Sequence, residues 1–245
     1  MIKPAIHKIL KGFGLKIVRY DPGYPPDFQQ EDTDIVRQAQ PWTMTSAERI
    51  YALIQAVRYV SSNKIAGSIV ECGVWKGGSM TAVATTLMRL NDVSRDLYLF
   101  DTFTGMSEPT AKDLDYTGKQ AAELLVEIPG VKCDEAPLEG VRQLLLGTGY
   151  PADKLHFVPG KVEETIPSSA PELISILRLD TDWYESTKHE LVHLFPRLSR
   201  NGVLIIDDYG HWKGSRQACD EYFTEQGISI LLNRIDYTGR IGLKS

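Results

Sequence analysis

Cysteine is scarce in this chain of 245 residues, with only Cys72, Cys133 and Cys219. An odd number without paired spacing argues against both a disulfide framework and a cysteine-based zinc site. Long apolar runs are missing as well. None approaches the ~20 residues of a membrane-spanning helix. The start, Met1-Ile2-Lys3-Pro4-Ala5-Ile6-His7-Lys8, is basic and slightly apolar, but no long apolar core or small-residue cleavage site follows it. Cytoplasmic residence without membrane attachment is therefore expected. Nor is positive charge in excess. The formal net charge is -5, which offers no electrostatic footprint for nucleic acid or an anionic membrane. Internal repeats and low-complexity tracts are absent. So are two phosphate-binding signatures: no G-x-G-x-x-G with its acid ~20 residues on, and no G-x-x-x-x-G-K followed by Ser or Thr.

What is present is ordinary for a globular protein, with 42% hydrophobic and 24% charged residues. Residues 1–45 show no strong periodicity and form an N-terminal extension, suited to a lid or an oligomer contact. Asp21-Pro22-Gly23-Tyr24-Pro25-Pro26-Asp27 within it is turn-rich and reads as irregular. From Thr45 a helix is expected, because Thr45-Ser46-Ala47-Glu48 has the capping-box pattern and Ile50, Leu53, Ile54, Val57 and Val60 follow at helical spacing. Short apolar runs then alternate with helical patterns. Strands are predicted near 68–71, 96–100, 155–158, 173–177 and 202–206. Helices are predicted near 79–89, 119–128, 138–146, 186–198 and 214–226, with a short one opening at Glu163. Residues 228–232 and 238–244 read as two consecutive strands, hence a hairpin. The fold class is α/β: a Rossmann-like, doubly wound, mostly parallel seven-stranded sheet with an antiparallel C-terminal edge hairpin. Residues 46–245 make up this domain.

The strand ends carry the chemistry. Leu173-Ile174-Ser175-Ile176-Leu177 runs into Asp180-Thr181-Asp182-Trp183-Tyr184-Glu185-Ser186-Thr187. Gly202-Val203-Leu204-Ile205-Ile206 runs into Asp207-Asp208-Tyr209. Like charges repel and each loses water on burial, so such acids do not gather for stability. In an open parallel sheet the ligand site lies outside the carboxyl ends of the strands. Two neighbouring strands ending in acids aim a carboxylate cluster at one crevice, and oxygen-only ligands suit a hard cation such as magnesium. The competing assignment is capping of the following helices.

A second set lies upstream. Val70-Glu71-Cys72-Gly73-Val74-Trp75-Lys76-Gly77-Gly78-Ser79 is a strand, a glycine-rich turn and a helix start. Its acid-x-Gly-x-x-x-Gly pattern resembles motif I of the class I S-adenosylmethionine-dependent methyltransferases. Asp101 ends the next strand, in Asp101-Thr102-Phe103-Thr104-Gly105-Met106. An acid there can accept hydrogen bonds from both ribose hydroxyls of a nucleoside.

Taken together, these four segments resemble the macrocin O-methyltransferase (TylF-type) family over roughly residues 42–245. That family methylates sugar hydroxyls of macrolide and aminocoumarin antibiotics. The resemblance implies that Glu71, Gly73 and Gly77 shape the cofactor pocket and that Asp101 takes the ribose. Ser79, Thr102, Gly160 and Lys161, in and beside these segments, complete the expected cofactor-binding set. It implies magnesium held by Asp180, Asp207 and Asp208, with Asp182 as general base. A sugar or glycoside acceptor and a homo-oligomer are expected with it. Thr181 and Trp183 stand where many relatives carry glycine and a smaller apolar residue, so a narrowed acceptor pocket is expected. His189 and His211 are candidate assistants. Three rivals remain at this point: a magnesium-dependent methyltransferase of catechol-type phenols, a non-catalytic nucleoside-binding module, and a metal-only hydrolase. The hydrolase leaves Glu71 and Asp101 without a role.

Overall fold

The computed structural model describes residues 23–127 and 136–245. Its strands are β1 (Ser68–Cys72), β2 (Leu97–Asp101), β3 (Leu155–Pro159), β4 (Ile174–Leu179), β5 (Leu198–Ile206), β6 (Asn233–Arg234) and β7 (Arg240–Leu243). They form one sheet in the order β3-β2-β1-β4-β5-β7-β6. β3, β2, β1, β4 and β5 are parallel. β7 runs antiparallel to β5, and β6 antiparallel to β7. The chain order reverses between β1 and β4, which places the ligand crevice over their carboxyl ends.

The helices are α1 (Gln30–Ala39), α2 (Ala47–Ser62), α3 (Gly78–Arg89), α4 (Ala121–Glu127), α5 (Leu138–Leu146), α6 (Val162–Thr165), α7 (Tyr184–Leu194) and α8 (Lys213–Glu225). Successive strand residues point to opposite faces, and both faces are covered. Ile176, Val203 and Ile205 pack with Val57 and Val60 of α2 and Val83 and Leu87 of α3. Leu177, Leu204 and Ile206 pack with Leu191 and Leu194 of α7 and Tyr222 of α8. All six residues of β4 are buried, as expected of a central parallel strand. No described helix is long and apolar enough to cross a membrane.

Several local readings are corrected. Residues 30–39, read as aperiodic, form α1, which buries Ile35, Val36 and Ala39 against Ile50, Ile54 and Ala82. Three apolar residues in ten were too few to show a period. The helix at 47 is capped by Ser46, which accepts from the Arg49 N–H at 3.2 Å; Thr45 is free for another role. The helix after the acids starts at Tyr184 and stops at Leu194, and β5 is already extended at Leu198. Residues 228–232 are not a strand. Ile228, Ile230 and Leu232 pack against the core while Leu231 faces out. The alternation is real, but pairing with β7 is confined to Asn233 and Arg234. The helix read at 119–128 is described only as Ala121–Glu127; Ile128 and Cys133 lie outside the described residues.

Candidate active site

A cavity of about 420 Å³ opens over the carboxyl ends of β1, β2, β4 and β5. Of the residues read from the sequence, Gly73, Ser79, Asp101, Thr102, Gly160, Lys161, Asp180, Asp182, Asp207, Asp208 and His211 line it. Glu71 and Gly77 lie behind the wall.

One side is built from the turn after β1. Gly73 has φ 84, and a Cβ there would fall 1.9 Å from the Asp180 carbonyl oxygen. Its glycine is required by the crossing of β4, where Asp180 N–H donates to Cys72 O at 2.8 Å. Asp101 clamps this turn. Its Oδ2 accepts from the Val74 and Trp75 N–H groups at 2.7 and 2.8 Å, and its Oδ1 from the Phe103 N–H at 2.7 Å. Trp75 and Phe103 hold positive φ of 47 and 55, a conformation that bulky residues keep only when their surroundings enforce it. The Gly160 N–H donates to Asp101 O at 2.9 Å, joining the exit of β3 to the same ledge. Gly77, at φ 87, caps α3, and Val141 and Leu145 methyls lie 3.0 and 3.1 Å from where its Cβ would be. Its missing side chain lets α3 approach α5.

The other side is acidic. Asp180, Asp207 and Asp208 each present a carboxylate oxygen, and these lie within 4.8 Å of one another. Beneath them sits Arg178, 2% exposed. Its Nη1 donates to Glu71 Oε1 at 2.5 Å and Asp180 Oδ2 at 2.7 Å. Its Nη2 donates to Asp207 Oδ1 at 2.6 Å and Thr45 Oγ1 at 2.9 Å. Arg49 of α2 contacts the second oxygen of Asp207 and donates through Nε to Asp236 at 3.0 Å.

Asp182 stands between the acids and an aromatic wall. It holds φ 65, a left-handed conformation that Asp tolerates better than most residues. Its N–H donates to Asp208 Oδ2 at 3.2 Å, and Trp212 Nε1 donates to its Oδ1 at 2.6 Å. Trp212 packs edge-on against the buried Trp183, with ring centroids 5.1 Å apart. His211, Tyr237 and Tyr116 extend the wall outward.

Charge balance sets the protonation of this side. Burial, then the Asp180 charge, push the Asp182 carboxyl up to about 7. Burial raises Asp180 against the pull of Arg178. Asp208 rises well above the carboxylate range through burial and the charges of Asp182 and Asp180. Burial carries Glu71 to about 8, again opposed by Arg178. Five acids, Glu71, Asp180, Asp182, Asp207 and Asp208, thus meet only two guanidinium groups, Arg49 and Arg178, and four of them hold their protons more tightly than free carboxyls. An all-oxygen donor set of this kind fits a hard divalent cation, which would take the place of those protons.

Sequence reading had not singled out Arg178, Arg49, Trp212 or Tyr237. For Arg178 a signal existed: it is the lone charge in an otherwise apolar strand. Arg49 gave none, because its partners lie far along the chain. Of the two histidines, His211 lines the cavity and meets the Tyr237 hydroxyl at 3.1 Å. Burial lowers its pKa. His189 lies outside the wall, with Nε2 3.0 Å from Ile166 O.

The chain matches the macrocin O-methyltransferase (TylF) family model over residues 21–241. It is 36% identical over 197 residues to the 8-demethyl-8-(2,3-dimethoxy-alpha-L-rhamnosyl)-tetracenomycin-C 4'-O-methyltransferase of Streptomyces olivaceus, covering 80% of this chain and 73% of that protein. It is 29% identical over 242 residues to the demethyldecarbamoylnovobiocin O-methyltransferase of Streptomyces niveus, covering 95% and 88%. Among solved structures, the O-methyltransferase NovP superposes with a TM-score of 0.74 at 25% identity, over 98% of this chain and 97% of that one. The calicheamicin methyltransferase CalS11, at 19% identity and a TM-score of 0.60, shares the fold.

Proposed function

The chain belongs to the macrocin O-methyltransferase family, and from that premise we propose that it methylates a sugar hydroxyl of a natural-product glycoside, using S-adenosylmethionine and a divalent cation, magnesium by preference. The relatives from Streptomyces are named as O-methyltransferases of a rhamnosyl tetracenomycin C and of demethyldecarbamoylnovobiocin. The carrying observation is the convergence of Asp180, Asp207 and Asp208 within 4.8 Å, in the same cavity as the Gly73–Asp101 ledge.

The ledge of Gly73, Asp101, Thr102, Gly160 and Lys161 would receive S-adenosylmethionine, which supplies an already activated methyl group. Asp101 would meet the ribose with the one lone pair, on Oδ1, that its three backbone donors leave free. Asp180, Asp207 and Asp208 would hold the cation, which lowers the pKa of a bound hydroxyl. Each Asp207 oxygen already accepts from a guanidinium but keeps a second lone pair. Asp182 takes the proton from the acceptor hydroxyl. Trp212 fixes its Oδ1, and the neighbouring Asp208 carboxyl shares a hydrogen bond with the Asp182 side chain; Asp208, on binding the cation, would release that side chain for the acceptor's proton. The aromatic wall of Trp212, His211 and Tyr237 suits the C–H-rich face of a sugar ring, and it orients the hydroxyl toward Asp182.

Labelled methyl transfer from S-adenosylmethionine to panels of glycosides and catechols tests this. Transfer to glycosides, lost in chelator and restored by magnesium, is expected. Transfer to catechols alone, or undiminished turnover after exhaustive metal removal, overturns it.

A further inference from the structure

We propose that Arg178 and Glu71 form a buried framework that sets the spacing of the cation-binding carboxylates, although neither touches the cation. The inference rests on the reading of the acid cluster as a cation site. Three independent features carry it.

The first is register. Glu71 of β1 and Ile205 of β5 both flank Arg178 of β4. Side chains two apart along a strand share a face. Asp180 follows Arg178 by two positions and Asp207 follows Ile205 by two. The sheet thus delivers Glu71, Arg178, Asp180 and Asp207 to one side of its carboxyl edge.

The second is the use of the fork. A guanidinium is planar, with donors in fixed directions. Here both terminal nitrogens are spent: Nη1 spans Glu71 and Asp180, and Nη2 spans Asp207 and Thr45. Asp180 and Asp207 belong to different strands, and this one rigid group holds both. A lysine ammonium on a flexible stem cannot reproduce that pair of directions.

The third is Glu71 itself. It is 1% exposed and does not line the cavity. Its Oε2 has no hydrogen-bond partner among the described residues, and its Oε1 serves Arg178. A buried carboxyl so placed holds the guanidinium from β1, on the same nitrogen that holds Asp180.

Two effects oppose each other in Arg178. Its charge repels a cation, while its fork keeps like-charged carboxylates in position. Partners that orient metal ligands from behind typically account for about 10–100-fold in affinity, and we take orientation to dominate.

The experiment measures Mn²⁺ binding to metal-stripped enzyme by electron paramagnetic resonance. Wild type is compared with Arg178→Lys, Arg178→Gln and Glu71→Gln, each shown to be folded by circular dichroism. All three variants should bind Mn²⁺ about 10–100-fold more weakly than wild type. Binding by Arg178→Gln as tight as wild type, or tighter, would show that repulsion dominates and overturn the proposal. So would wild-type affinity in Arg178→Lys, since charge alone would then suffice. If Arg178→Gln does not fold, Arg178→Lys and Glu71→Gln decide. A wild-type protein that binds no Mn²⁺ removes the cation reading and this inference together. Weakened variants beside a binding wild type support both.

Discussion

Trp212 and Asp182 are joined by a 2.6 Å hydrogen bond from the indole N–H to a carboxylate oxygen. The bond ties the proposed base to the aromatic wall, so on the proposed mechanism one contact would set both the acceptor's position and the direction of proton removal. Replacing Trp212 with Phe keeps much of the ring and removes the donor. Turnover should fall about tenfold or more, in line with a lost hydrogen bond to a charged group. Affinity for S-adenosylhomocysteine, measured by calorimetry, should not change. An unchanged rate in the variant would detach Trp212 from the chemistry.

Asp182 and Asp180 lie two residues apart and have separate predicted roles. Asp182→Asn should lose ~10²–10⁴-fold in turnover while keeping metal and cofactor binding, because only proton removal is lost. Asp180→Asn should instead weaken metal binding, with part of the rate recovered at high magnesium. Rates across a magnesium titration distinguish them. Rescue of Asp182→Asn but not Asp180→Asn would reverse the assignment.

Asp101 accepts three backbone N–H groups, and an amide can supply only one accepting oxygen. Asp101→Asn should therefore loosen the turn that carries Val74 and Trp75 as well as any ribose contact. Cofactor affinity should drop by about tenfold to a hundredfold, the equivalent of ~1.5–3 kcal/mol. Calorimetry that finds wild-type affinity in a folded variant would remove Asp101 from the site.

If the acid cluster holds a cation as proposed, magnesium should stabilise the wild-type fold by binding the native state and relieving repulsion among its acids. At a concentration about 100 times its dissociation constant the gain is about 2.7 kcal/mol. Thermal unfolding with magnesium and with chelator checks this. Identical midpoints over a wide magnesium range would argue that the cluster holds no cation.

Gly73→Ala should be severely destabilising, since its Cβ would meet the Asp180 carbonyl at 1.9 Å. Overpacking typically costs about 1–3 kcal/mol, and a collision of backbone with backbone at positive φ belongs above that range. Gly227→Ala is the control. It also has positive φ, at 62, but nothing lies within 4 Å of its Cβ position, so only the conformational strain of roughly 1–2 kcal/mol remains. Comparable midpoints for the two variants would show that the close crossing is not limiting.

The acid cluster was legible because two apolar runs each end in carboxylates, and the topology of a parallel sheet brings such ends together. Asp180, Asp182, Asp207 and Asp208 follow from that rule as one group; singling out Asp180, Asp207 and Asp208 as the cation set rests on the family resemblance. The ledge was legible in position but not in cause. Gly73 lines the cavity as read, and no signal in the sequence showed that it also makes room for the backbone at Asp180. Arg49 was illegible, because nothing on a surface-patterned helix announces a partner at Asp207. The edge hairpin was read at residues 228–232 because alternation reports packing on a core, and it does not report whether a neighbouring strand is there to pair.

The crossing of Gly73 and Asp180 has an evolutionary consequence. Donor turn and acid loop share a backbone contact with no side chain between them, so neither can lengthen or slide without displacing the other. Ser107, Tyr116, His211 and Tyr237 lie beyond the strand ends, outside that contact. On the proposed function, acceptor preference would be open to change there without disturbing the contact that joins the two halves of the site. An engineer seeking a new acceptor would randomise those four positions and leave residues 71–79 and 178–182 untouched.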